Sequence, residues 1–229
     1  MKKLLFFFSI LMTPFMKAQT PKLGTDADPI RQMLFASQSM KEQLQLIMTD
    51  DPANPLKSLA DAARLATAGK KEEAKAQIYK MLKLPNLETR IQLLAWSALR
   101  ELGEEPDEKS GTEVLGAVFE RPMKTGYDTL AAYQDGTARY LNFSGSAIFW
   151  EVRDATIQWL CQNLMDSAVS ASSRATPRTD ISLPKSGTQV TLLTRSGMYV
   201  IPDPPQAVIR GALALIVELI ERDKKSKAG

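Results

Sequence analysis

The sequence predicts an α+β protein: an N-terminal helical hairpin unit, then an antiparallel sheet in the order β-β-β-β-α-β-β-α with helices on one face. Three observations predict it. Helical spacing, bounded by start and stop residues, fills positions 29–103. Alternating strand-like runs begin at Glu113. A charged stretch with proline and glycine, EEPDEKSG, lies between them and marks a linker over 104–112.

Met1-Lys2-Lys3 precedes an apolar run over 4–16, and a small residue follows at Ala18. This is the form of a secretory signal over 1–18, too short to span about 30 Å of hydrocarbon. The expected mature chain is periplasmic or secreted, with no stable membrane span. Lys2, Lys3 and Lys17 precede the cut, so the 29 basic residues fall to 26 against 26 acidic ones. A near-neutral body argues against nucleic acid as a partner, because such binders cluster excess Lys and Arg.

Residues 19–28 are polar and expected to be disordered. Asp28-Pro29 starts a helix running to about Met48, since a capping side chain is followed by a proline that needs no N–H partner. Asn54-Pro55 repeats the signal, and a helix with Leu56, Leu59, Ala63 and Ala66 on one face runs to Gly69. Its partner covers 70–82 with Ala74, Ile78 and Met81 inward. Asn86 is expected to cap a third helix over 87–102, which Gly103 stops. Ala62, Leu65, Gly69, Ala74, Ile78 and Pro85 fall near where a tetratricopeptide repeat places small, apolar and closing residues, so 56–85 resembles one hairpin of that type. The resemblance implies a docking module.

In the α+β part (113–223), strands are expected over 114–120, 128–134, 137–141 and 146–151, then a helix over 154–171. Strands over 189–194 and 198–201 flank a Ser196-Gly197 turn, a core helix runs from 205 to about 222, and a basic tail ends the chain. Gly211 is expected to bring that helix close to the sheet. The Ser/Thr/Pro-rich segment 171–187 is expected to be disordered.

Asp135-Gly136 between alternating runs predicts a two-residue hairpin turn. Gln134 then faces Thr137, Tyr133 faces Ala138 and Ala131 faces Tyr140, so Tyr133 and Tyr140 share one sheet face. Leu130, Ala132, Arg139 and Leu141 take the other. Ile148 and Trp150 lie opposite Phe149. The segment LAAYQDGTARYLNFSG, from Leu130 to Gly145, is similar to a hairpin of uncharacterised bacterial exported proteins. That resemblance implies a recurring domain and brings no catalytic residue with it.

The chain has no histidine and one cysteine, Cys161. Histidine-dependent nucleophiles, His-ligated metals, thiolate metal sites and internal disulfides are therefore excluded, and no cofactor or metal site is expected. Cys161 falls on the stripe Ile157, Leu160, Cys161, Leu164, Met165 and Ala168, as a core residue. Glu120, Asp128, Asp135, Glu151 and Asp154 at strand ends are the only general acid or base candidates, and turn or capping roles account for Asp135 and Asp154. Arg139 is expected to pair with Glu120 or Glu151, or to meet an anionic ligand.

The function expected first is non-catalytic protein–protein interaction, with a protein partner or self-association, through the helical hairpin or the face carrying Tyr133 and Tyr140. The alternatives are a small-ligand sensing domain with Arg139 in its pocket, and a carboxylate-dependent envelope hydrolase using Glu120 and Glu151. Tyr133, Arg139 and Tyr140 are the candidate binding residues.

Overall fold

A computed structural model describes residues 29–46, 51, 54–184 and 186–228. The expected signal (1–18) and polar segment (19–28) lie outside the described residues. In chain order the elements are α1 (Pro29–Leu34), α2 (Met40–Leu46), α3 (Pro55–Thr67), α4 (Lys71–Leu82), α5 (Thr89–Glu101) and α6 (Glu108–Gly111). Then come β1 (Val114–Met123), β2 (Gly126–Tyr133), β3 (Ala138–Leu141), β4 (Ala147–Trp150) and α7 (Ala155–Ser170). β5 (Thr176–Arg178), β6 (Gln189–Thr194), β7 (Gly197–Pro202) and α8 (Gln206–Ala228) complete the chain.

The strands form one antiparallel seven-stranded sheet in the order β4-β3-β2-β1-β6-β7-β5. The α+β class is thus observed. Helices α7 and α8 cover one face, packing Ile157, Cys161, Leu164, Val208, Ala212, Leu215 and Leu219 on Ala117, Phe119, Leu130, Ala132, Tyr140, Val190 and Leu192. The N-terminal helices cover the other, where Leu34, Phe35, Leu59, Ile78, Leu94 and Leu99 meet Leu115, Val118, Ala131, Tyr133, Leu141 and Leu193. Helices cover both faces of the sheet, so its apolar residues serve two cores.

Several local expectations change. The helix expected from 29 breaks after Leu34, where Ala36 takes a left-handed φ of 48°. Ser39 and Glu42 then form a capping box that restarts it: the Ser39 N–H donates to Glu42 Oε2 (2.8 Å) and the Glu42 N–H to Ser39 Oγ (3.3 Å). Asn54 caps α3 as expected, accepting from the Leu56 N–H at 3.0 Å. Asn86 does not cap α5. It sits at φ 56°, the helix begins at Thr89, and the Thr89 N–H is met by Asp135 Oδ2 from the β2–β3 turn at 2.7 Å. Within the expected linker, Asp107 caps the short α6 by accepting from the Ser110 N–H at 3.0 Å.

The segment expected to be disordered contains a 3-10 turn, Ser172–Arg174, and the edge strand β5. Polar contacts order it: Arg178 donates to the backbone oxygens of Asp180 and Ser182, each at 2.6 Å. Helix α8 runs through the supposed basic tail to Ala228. A Cβ on Gly211 would lie 3.5 Å from Leu164 Cα, so this glycine seats α8 against α7 instead of the sheet.

Candidate binding surface

The β2–β3 turn controls which way the candidate residues point. The observed register pairs Ala132 with Ala138, Ala131 with Arg139 and Leu130 with Tyr140, one residue away from the expected pairing. The Gly136 N–H donates to the Tyr133 carbonyl and the Tyr133 N–H to the Thr137 carbonyl, each at 3.0 Å. The loop therefore has three residues, with Gly136 at φ 81° in the left-handed position of a glycine bulge. Asp135 holds it by accepting from the Thr137 N–H (3.0 Å) and Oγ1 (2.7 Å). The β3–β4 hairpin uses the same turn: the Gly145 N–H donates to Asn142 O and the Asn142 N–H to Ser146 O, both at 2.8 Å, with Gly145 at φ 96°.

A one-residue slip exchanges faces. Tyr133 and Tyr140 are consequently on opposite sides of the sheet, which corrects the expectation of a shared aromatic face, and both are buried. The Tyr133 ring lies over Gly116, where a Cβ would sit 2.9 Å from its Cδ1, and its hydroxyl donates to Leu34 O at 2.7 Å. Tyr140 packs against α7 and α8 on the far side and its hydroxyl accepts from Asn142 Nδ2 at 3.1 Å. Burial pushes the pKa of each phenol up to about 12.

The same slip brings Arg139, expected on the opposite face with Leu130 and Ala132, to the face of Tyr133. Its Nη2 donates to Glu151 Oε1 (2.8 Å), as expected, and to Glu88 Oε1 at the start of α5 (2.9 Å). Its guanidinium lies 5.9 Å from the Tyr133 ring centroid and 6.0 Å from that of Phe149. Its buried Nε finds no acceptor among the described residues. A cleft of ≈ 500 Å³ opens beyond the two carboxylates, lined by Asn86 to Thr89, Gln92, the β2–β3 turn, Glu151 and Arg153.

Glu120 belongs to a different cluster that has no local signature in the sequence. It is fully buried and accepts from Arg31 Nε (2.9 Å) and Nη2 (2.5 Å), from Arg178 Nη1 (3.2 Å), and from Gln189 Nε2 (2.7 Å). The two guanidiniums lie 5.1 and 5.0 Å from the centroid of the Phe35 ring. Helix α1 is thereby keyed to the sheet by charge and by an aromatic ring together.

This geometry separates the two carboxylates considered as an acid–base pair. The backbones at Glu120 on β1 and Glu151 beyond β4 are three strand spacings apart, more than about 14 Å at about 4.8 Å each, and the Glu120 carboxylate is bonded to Gln189 and Arg178 on the side of the sheet away from β4. A glycosidase pair needs about 5 to 9.5 Å. Asp128 accepts from the Phe143 N–H at 3.1 Å. Asp154 caps α7 through the Thr156 and Ile157 N–H groups and also binds Arg222, contacts that lower its pKa with the Ile157 N–H foremost. Cys161 is buried 3.9 Å from Thr137 O, and burial pushes its thiol up to about 12. Among the described residues no cluster of His, Cys, Asp and Glu is arranged to hold a metal, and no helix is long and apolar enough to cross a membrane.

What the described surface does offer is apolar. Phe149 on β4 is 49% exposed and Val152 just beyond it 66%. Both lie at an open edge of the sheet, beside the cleft. Trp159, on the outer side of α7, is also exposed. No family model, curated protein or solved structure matches the chain.

Proposed function

We propose that this is an exported, non-catalytic protein that works by holding another polypeptide at the β4 edge. The observation that carries this reading is the strand itself. Ala147-Ile148-Phe149-Trp150 ends the sheet with no charge and no proline, and Phe149 within it and Val152 just beyond it are exposed. The sheet face that was the other candidate surface is spent on internal packing, and the candidate carboxylates are occupied by capping, turn and ion-pair contacts. Export rests on the Lys2-Lys3 start and the apolar run after it. The tetratricopeptide-like spacing of 56–85 fits a binding role, but its apolar residues Leu59, Ala62, Ala74 and Ile78 face the core. A small anion at Arg139 is less favoured, since it would have to displace Glu88 and Glu151 from a guanidinium they already neutralise.

A photo-crosslinking amino acid placed at Val152 in cells tests the proposal. Adducts are expected that disappear when Ala147→Pro is added and persist when the exposed Leu84 on the helical side becomes Asp. Absence of any adduct from Val152, with adducts from Leu84 instead, would refute it.

A further inference from the structure

We infer that the polypeptide on the β4 edge is a second copy of this chain, paired antiparallel about a twofold axis; this deepens the reading above and rests on it. The two edges of the sheet are built differently. β5 is only three residues long, Thr176-Pro177-Arg178, and carries two of the devices that keep an edge from adding strands, a proline without an N–H and a cationic side chain. β4 has neither.

Pairing with β3 fixes which backbone groups of β4 are left over. The Asn142 N–H donates to Ser146 O, and Tyr140 and Ala138 stand opposite Ile148 and Trp150. By antiparallel alternation the groups of residues 146, 148 and 150 serve β3, and those of Ala147 and Phe149 point outward. An added strand must set its own outward groups against them. For an antiparallel copy, this means odd-numbered residues opposite odd-numbered ones. Two such registers keep most of the strand paired. With the axis at Ile148, Ala147 faces Phe149 of the copy; with the axis at Phe149, Ile148 faces Trp150 of the copy.

The flanking charges tolerate both. Glu151 falls opposite Gly145 or Ala147 of the copy, and Arg153 opposite Phe143 or Gly145, so no like charges meet. The edge is therefore complementary to itself in backbone bonding, size and charge, which a twofold contact requires of a single surface. Pairing would also cover Phe149.

Sedimentation of the purified chain over a range of concentrations tests this, together with Ala147→Pro and single cysteines at 148, 149 and 159. The wild type is expected to form a concentration-dependent dimer. Ala147→Pro removes one outward donor and none that serves β3, so a folded monomer is expected. Opposed Cα atoms in such a ladder lie about 4.5 to 5.5 Å apart, within disulfide reach. Because Cys161 is buried, Ile148→Cys or Phe149→Cys is expected to give a disulfide-linked dimer on mild oxidation, and Trp159→Cys is not. If Ala147→Pro does not fold, the cysteine comparison decides alone. A monomer at every concentration, with neither edge cysteine linking faster than position 159, would overturn the inference. Val152 adducts to a different protein would then preserve the broader reading, and their absence would remove both.

Discussion

Replacing Glu120 by glutamine should unlatch α1 from the sheet. Glutamine keeps the shape and one carbonyl acceptor but removes the single carboxylate that Arg31 and Arg178 share, in a site where the Arg31 and Glu120 side chains have no exposure. Removing one member of a buried ion pair costs about 3–5 kcal/mol, because the remaining charge stays desolvated without its counter-charge. Here two guanidiniums are affected, which argues for the upper part of that range. The contact between Arg178 Nη1 and Thr191 Oγ1 (2.6 Å) survives the change and offsets some of the loss. The net cost is about 4 kcal/mol; a chain of this size loses roughly 2–4 °C of midpoint per kcal/mol, so a fall of about 8–16 °C is expected by calorimetry or circular dichroism. Limited proteolysis should cut Glu120→Gln near residues 34–39 before the body of the protein is attacked. A midpoint change below about 3 °C would refute the argument.

Three further changes probe the same packing. Gly116→Ala places a Cβ 2.9 Å from Tyr133 Cδ1 and 3.1 Å from the Ala132 carbonyl; a loss of about 1–3 kcal/mol is expected in urea unfolding, and Tyr133→Leu should recover part of it. Tyr133 carries a phenol raised by burial from 10.0 to about 12. Its share of stability is complete below pH 10 and is lost as pH rises toward 12, by about 2–3 kcal/mol in all. Tyr133→Phe should therefore lose stability at pH 7 yet show a shallower decline above pH 10, and equal alkaline slopes would count against the burial. Asp135→Ala takes away the acceptor for the Thr89 N–H and for Thr137. Loss of a helix cap costs about 0.5–2 kcal/mol, and faster amide exchange at Thr89 by NMR would check that the damage reaches α5.

Legibility in the sequence followed the range of the interaction. Features written within a few residues were readable: the Asn54-Pro55 start, the stops at Gly69 and Gly103, the Asp154 cap, the bounds of β6, and the inward stripe of α7. The capping box Ser39-x-x-Glu42 was equally local, and it accounts for the break that separates α1 from α2. Asp135-Gly136 was ambiguous for a physical reason. The dipeptide suits a two-residue turn and also the last two places of a three-residue loop, and the choice between them moves Tyr133 and Tyr140 to opposite faces. Glu120 was recognised as a strand-end acid with Arg139 among its prospective partners, but Arg31 and Arg178 lie 89 and 58 residues away. No spacing rule reaches that far. β5 was unreadable because Thr-Pro-Arg has no alternation and is ordered by the partners of Arg178.

The seating of α1 also constrains how the chain can assemble. Arg31 and the carbonyl of Leu34 wait for groups that follow 89 and 99 residues later. Whatever leads the polypeptide out of a ribosome or through a pore, α1 must stay undocked until β1 and β2 exist, and Arg178, which stacks on Phe35, follows later still. Closure of that face is therefore a late event, and the interval before it is when Val118, Ala131 and Leu141 are open to wrong partners.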